Sequence, residues 1–305
     1  MSLLQTLKHY KSKVQHKLFD IQLNKALTLP PLVITGDEEQ GLCVLSMLCK
    51  RDFVQYLLSI YSFVQFIQPA KIVIVNDGSL ENWHLELLKD KIPHLDILTG
   101  TDYIDERLPT YTSWRRMLAL ESYVSDYYVI QLDADIISQH NLDEVYDAYK
   151  KNKSFILGTE QGRLMSVDEA RDIALARFKP TDTHVQQLAE NNMDVMKEIG
   201  FNHYYRGCAG FAGYAKGSFS TETLVDISNC MFKRIDDTWR NWGSEQVCAN
   251  ILLANQDDSK RLPLQSYDSV QRYSDDLKIV HFIGSLRFKD GLYKRLALKT
   301  LNHLC

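Results

Sequence analysis

Six cysteines are scattered along the 305 residues, at Cys43, Cys49, Cys208, Cys230, Cys248 and Cys305, and no two form a C-x-x-C pair. This argues against a disulfide framework or a cysteine zinc site, and free, mostly buried thiols in a reducing, cytoplasmic setting are expected. No apolar run approaches the ~20 residues of a membrane span, and the first residues lack an apolar signal core. An excess of basic charge is missing too. The formal net charge of −4 gives no support for nucleic acid as the main partner. Cys49-Lys50-Arg51-Asp52, after the first apolar run, is not the glycine-rich phosphate loop of a nucleotidyltransferase. What remains is an ordinary soluble composition, 45% hydrophobic and 24% charged, in a chain long enough to bury a full core.

Residues 2 to about 28 have the spacing of an amphipathic helix, with Leu3, Leu7, Tyr10, Val14, Leu18 and Ile21 on one stripe. Lys8, Lys11, Lys13, Lys17 and Lys25 outnumber the lone Asp20. Such an arm, residues 1–30, either packs on the domain with its lysines solvated or contacts an anionic membrane or a dimer partner. Pro30-Pro31 stops it, and one domain is expected over 31–305. Leu42 to Leu48 reads as a strand, Phe53 to Phe66 as a helix and Lys71 to Val75 as a strand. This is a βαβ unit, whose parallel strands carry ligands at their C-terminal ends. Asn76-Asp77-Gly78-Ser79 follows, placing Asp77 where a ribose or base would be read, although a plain Asx-turn has the same residues. Leu85 to Leu88 and Ile92 to Leu98 suggest another helix and strand. Thr112 to Ser122 is a helix on which Arg115 could face a diphosphate, with Arg116 expected at the surface.

The stretch Tyr127 to Ile137 organises the rest. It reads as one buried strand, so Asp133 and Asp135, two residues apart, would project from the same face at its end. Side-by-side carboxylates repel unless a cation sits near them, and oxygen ligands suit magnesium or manganese. A solvated strand end is the competing explanation. Leu142 to Tyr149 looks helical, and Phe155 to Thr159 reads as a strand leading into Glu160. A helical stretch over about 166–199, broken at Pro180, could cap a substrate site or simply pack. Gly207, Gly210 and Gly213, between small residues, allow a backbone to approach a ligand or serve a tightly packed strand. Trp242-Gly243-Ser244-Glu245-Gln246 opens a helix running to Ala254, with Ser244 expected as its N-cap and Glu245 in the first turn. Lys278 to Phe282 is an apolar strand bearing His281, followed by Ile283-Gly284-Ser285-Leu286-Arg287.

In this order and spacing the motifs resemble the nucleotide-sugar glycosyltransferases of the GT-A fold, over about Leu42 to Phe288. The 76–79 turn looks like the family's nucleotide-reading segment, and Leu132-Asp133-Ala134-Asp135 like its metal-binding motif. Trp242 to Asn250 and Val280-His281-Phe282-Ile283-Gly284 are similar to the glycogenin and galactosyltransferase-like branch. Glu245 stands where that branch usually has aspartate, and Arg287-Phe288 replaces its usual lysine-proline. The turn at Asn76 is more typical of the inverting branch.

The resemblance implies an α/β fold with a mixed, mainly parallel Rossmann-like sheet. It implies transfer of a sugar from a nucleoside diphosphate sugar, with a UDP-sugar favoured, to a hydroxyl on a glycan, lipid or protein. Mn2+ or Mg2+ would be held by Asp133, Asp135 and His281. Asn76, Asp77, Lys50 and the backbone after Leu48 would hold the nucleoside, and Arg115, Gly284 and Arg287 the diphosphate. Glu245, Gln246, Trp242, Gly207 and Gly210 would lie on the sugar and acceptor side. Glu245 or Glu160 could act as base in an inverting enzyme, whereas the Ser244-Glu245-Gln246 segment and His281 lean towards retention. A catalytically silent nucleotide-sugar-binding protein of the same fold is the alternative. An aspartate-dependent phosphatase fits poorly, since Asp133-Ala134-Asp135 is mid-chain and followed by Ile136-Ile137.

Overall fold

The structure, a computed structural model, describes residues 14–36 and 41–304. Residues 14–22 are helical (α1) and lead through a 3-10 turn, Asn24–Thr28, towards β1 (Leu42–Leu48). Helix α2 (Phe53–Val64), β2 (Lys71–Asn76), α3 (Asn82–Lys91), β3 (Leu95–Thr99), α4 (Thr112–Val124) and β4 (Tyr128–Leu132) follow. β1 pairs in parallel with β2 and β4, and β2 with β3, so the helices between them are the crossovers that parallel pairing requires. The chain continues through β5 (Ile136–Ser138), α5 (Asp143–Lys150), β6 (Phe155–Leu157), β7 (Leu164–Ser166), α6 (Val167–Arg177) and α7 (Val185–Glu190). Then come β8 (His203–Tyr205), β9 (Cys208–Tyr214), α8 (Thr221–Ile235), α9 (Ser244–Ala254), β10 (Lys260–Arg261), β11 (Tyr267–Ser269), β12 (Ile279–His281) and α10 (Leu292–Leu304).

The main sheet has seven strands in the order β10-β6-β9-β4-β1-β2-β3, with β9 antiparallel to β4 and β6. This is the mixed, mainly parallel α/β architecture expected. Alternate residues serve opposite faces: Ile72 and Ile74 join the core under α2 and α10, while Val73 and Val75 join the one under α4 and α9. Both faces are covered, which is why the strands read as continuous apolar runs. The helical stretch over 166–199 is present as α6, α7 and a 3-10 segment at Met193–Ile199. Ser166 caps α6 by accepting from the Glu169 amide at 3.1 Å.

Two expectations change. Tyr127 to Ile137 is not one strand: β4 ends at Leu132, and β5 belongs to a separate three-stranded sheet, β11-β12-β5. Asp133, Ala134 and Asp135 turn between the sheets, because the chain must leave one hydrogen-bonded layer before entering the other. The second change concerns the arm, of which Leu3, Leu7 and Tyr10 lie outside the described residues. α1 packs through Phe19, Leu23 is buried just beyond its end, and Val14, Leu18 and Ile21 face outward. The aromatic Phe19 wins the inward position by packing its ring, tilted, against Tyr293 at 4.4 Å between ring centroids.

Asp20 lies on the inward side beside Gln55, whose amide donates to it at 3.3 Å. Burial, reinforced by Asp52, pushes its carboxyl up to about 7. A carboxyl raised on folding favours the folded state fully below about pH 4, and that share is lost as pH rises through 7. Asp20→Asn should therefore raise the calorimetric Tm at pH 8 and leave it unchanged near pH 4. Equal shifts at both pH values would show that this carboxyl does not titrate on folding.

Candidate active site

The aspartates sit at the C-terminal end of β4, beside the C-terminal ends of β1 and β2, where open α/β sheets place their ligands. Their backbone is fixed from three sides. The Asp133 amide donates to Gly210 O at 2.8 Å, the Ser59 hydroxyl donates to Asp133 O at 2.9 Å, and the Phe282 amide donates to Asp135 O at 2.9 Å. Antiparallel pairing of β12 with β5 sets His281 opposite Ile136, and so beside Asp135. His281 Nε2 lies 3.1 Å from Asp135 Oδ1 and 4.0 Å from Asp133 Oδ2.

Three arrangements of cations complete the centre. Arg116 donates to Asp133 Oδ1 at 2.8 Å, and it is 9% exposed. This corrects the expectation of a surface residue: the α4 face carrying Arg116 turns to the sheet, while Arg115, the favoured candidate, forms no hydrogen bond or ion pair with either aspartate. Arg287 forks, with Nη2 on Asp135 Oδ2 and Nη1 on Asp52 Oδ1 at 2.7 Å. His281 itself presents Nδ1 to Cys208 Sγ at 3.4 Å, leaving Nε2 towards the carboxylates. Burial alone would raise the Asp135 carboxyl, but His281 and Arg287 hold it down at about 2. Burial raises Asp133, with Asp135 adding to the rise and Arg116 opposing it. Against burial, Cys208 and Asp135 hold the His281 imidazolium well above its ordinary range.

One ligand atom from each of Asp133, Asp135 and His281 lies within 4.8 Å of the others. Ligands bonded to one ion at about 2.1 Å lie within roughly 4.2 Å of each other, so only a small closure is needed. Room exists because Gly210 faces them: a Cβ there would sit 2.8 Å from Asp133 Oδ2 and closer still to the His281 ring. The residues present fit a divalent cation, and an oxygen-rich set with one imidazole suits manganese or magnesium.

The other candidate residues divide. Glu245 is buried and opens α9, but the N-cap is Gly243 at φ 100°, not Ser244. The left-handed backbone at Gly243 takes the cap position, and the Ser244 hydroxyl instead accepts from Trp114 Nε1 at 2.8 Å. Glu245 accepts from the Gly243 amide at 3.0 Å, and burial raises its carboxyl while Arg116 lowers it. Asn76 and Asp77 spend their side chains on the turn, accepting from the Gly78 and Ser79 amides at 2.9 and 2.8 Å. Lys50 offers its amide to Ser79 Oγ at 2.8 Å, and its ammonium pairs with Glu81. Trp242 is 60% exposed, edge-on to His184. Gln246 is half-buried, and the Gly207 carbonyl accepts from Asn250 Nδ2 at 3.2 Å. Gly284 has φ 46°, and Glu160 projects outward, paired with Arg272 at 3.2 Å. Arg116, Asp52 and Cys208 were not singled out as site residues; only their three-dimensional neighbours reveal them.

No protein-family model matches the chain, and no curated protein matches its sequence. Solved structures do match. The galactosyltransferase LgtC, in complex with donor and acceptor sugar analogs, superposes with a TM-score of 0.53 at 11% identity, covering 84% of this chain and 95% of that one. An active-site mutant of LgtC gives 0.52 at 10% identity, with the same coverage of 84% and 95%. The chain has the GT-A glycosyltransferase fold. At such identity it is the fold that is shared. Within this GT-A frame, the aspartates lie where the parallel half of the sheet meets the antiparallel strand β9.

Proposed function

We propose that this chain transfers a sugar from a nucleoside diphosphate sugar, with UDP-sugars as the first donors to test, to a hydroxyl on a glycan, lipid or protein. The observation that carries the reading is the convergence of Asp133, Asp135 and His281 at the ligand-binding edge of a GT-A sheet. LgtC was solved with donor and acceptor sugar analogs, which supports the same class of partner.

A manganese or magnesium ion held there would act as a Lewis acid towards the departing diphosphate. Asp133 and Asp135 would offer carboxylate oxygens and His281 its Nε2. Arg116 and Arg287, already seated on the two carboxylates, would keep them oriented and add positive charge on the diphosphate side. Arg115 would support the diphosphate from further out. The 76–79 turn, Lys50 and the backbone after Leu48 would frame the nucleoside, with the Asp77 amide already bonded to Leu48 O at 3.1 Å. Gly284 would let the backbone come close to the phosphates. Glu245 and Gln246 would face the donor sugar, with Trp242 at the mouth and Gly207 and Gly210 allowing close approach. A cavity of about 220 Å³ beside His281 and Cys208, reaching Glu160, Arg206 and Arg272, offers space for the acceptor.

We favour retention. Glu160, the alternative base, has a side chain 82% exposed and drawn to Arg272, and Glu245 is anchored on its own helix terminus. The five cysteines described are free thiols, in keeping with a cytoplasmic enzyme. Thermal-shift measurements with UDP, GDP, ADP and their sugars, each with and without manganese, test the reading. One nucleotide should raise Tm only when manganese is present, by an amount corresponding to about 2.7 kcal/mol at a hundred times its Kd. No shift from any nucleotide would remove the donor site, and binding without turnover would leave a recognition protein of the same fold.

A further inference from the structure

The face of α1 that the described residues leave exposed has a definite chemistry. Val14, Leu18 and Ile21 are 48%, 51% and 57% exposed, and they fall on one side of the helix at spacings of four and three. Isolated exposed apolar residues are ordinary, but three in a row on a short helix form a patch. The patch extends beyond the helix. Leu18 also lines a groove of about 170 Å³ whose opposite wall is Phe288, Tyr293 and Lys294. Lys17 sits within the stripe, Lys25 follows in the next turn, and Lys294 stands at the groove. All three are exposed, and none has a carboxylate partner among the described residues. The single carboxylate of residues 14–29, Asp20, is turned inward to Gln55. The result is an apolar strip rimmed by ammonium groups that have no carboxylate partner among the described residues, on a chain whose net charge is −4.

We propose that this face docks on an anionic lipid bilayer. A helix with an apolar face and flanking lysines lies in the headgroup plane, held by buried apolar area together with attraction to anionic lipids. A second copy of the chain suits the patch less well. A two-fold interface sets the same patch against itself, bringing Lys17, Lys25 and Lys294 up to their own counterparts. The groove connects to the aspartates through one residue: Phe288 lines it, and its neighbour Arg287 pairs with Asp135. The inference does not depend on the reaction proposed above.

Co-sedimentation of the full chain with vesicles tests it. The chain should pellet with vesicles of phosphatidylcholine and phosphatidylglycerol in roughly equal parts, stay in the supernatant with phosphatidylcholine alone, and be released by salt. Leu18→Asp with Ile21→Asp should lower the bound fraction at limiting lipid roughly tenfold or more. Lys17→Glu, which removes no apolar group, should also weaken binding, and covers the case in which the double variant folds poorly. A wild-type chain that ignores the anionic vesicles overturns the proposal, as does a folded double variant that binds them unchanged. A dimer seen by light scattering and abolished by Leu18→Asp would assign the face to a second copy instead.

Discussion

Urea unfolding of Asp135→Ala is expected to show a loss of about 3 kcal/mol, and calorimetric titration with manganese and a nucleoside diphosphate should show no binding. The two losses have one cause. Asp135 is 5% exposed and accepts from both His281 and Arg287, so truncation removes the one carboxylate that bonds both, leaving Arg287 only Asp52 and His281 only the more distant Asp133. The sequence alone, with the aspartate at a strand end, would have the fold intact in this variant; burial of the side chain predicts otherwise. Asp135→Asn separates the effects. The amide keeps the shape, and its one carbonyl oxygen can still accept from either Arg287 or His281 though not from both, so its cost to stability should be smaller, while the charge needed by a divalent ion is gone. The pH dependence has a definite sign. A carboxyl held at about 2 stabilises the fold above about pH 4, and that share is lost as pH falls towards 2. The penalty of the alanine variant should shrink over the same range. Manganese-dependent nucleotide binding that survives in Asp135→Asn would refute the assignment of this carboxylate as a ligand.

How much of this was legible beforehand depends on the range of each signal. β1, α2 and β2 were readable almost to the residue, because a buried parallel strand and an amphipathic helix each write a short, local pattern. Asp133, Asp135 and His281 were readable as candidates because charged residues interrupting apolar runs are conspicuous. Their meeting was not readable from spacing alone: it depends on β12 pairing with β5, which brings His281 to Asp135, 146 residues earlier. The break after Leu132 was invisible for a related reason, since Ile136 and Ile137 continue the β-rich composition while pairing in another sheet. Arg115 and Arg116 are adjacent on one helix, and local pattern cannot say which faces the sheet. On α1 the stripe at Val14, Leu18 and Ile21 was read correctly as a stripe, but a stripe does not say whether it is the buried face. Phe19, off that stripe, anchors the arm because Phe288 and Tyr293 stand ready to receive it, and Leu23 is buried just beyond.

Two alanine substitutions on β9 should behave alike in stability and differently in binding. Gly210→Ala places a Cβ 2.8 Å from Asp133 Oδ2 and against the His281 ring, whereas Gly213→Ala places one 2.5 Å from Phe155 Cδ1 and against the Tyr128 hydroxyl. Overpacking of this kind costs about 1–3 kcal/mol through displaced neighbours, so both variants should lose stability in a denaturant melt. Only at Gly210 are the displaced neighbours two of the three candidate ligands. Pushing His281 and Asp133 away from each other opposes the closure that a shared ion requires, and manganese-dependent nucleotide binding should fall by at least roughly tenfold, in line with the effect of disturbing groups that orient metal ligands. Gly213→Ala, with its clash confined to the aromatic core between β4, β6 and β9, should bind as the parent does once its lower Tm is allowed for. If both variants lost binding in proportion to their lost stability, Gly210 would be a packing glycine and nothing more. Loss at Gly210 alone would tie the missing side chain to the space between the carboxylates and the imidazole, which is the space an ion would need.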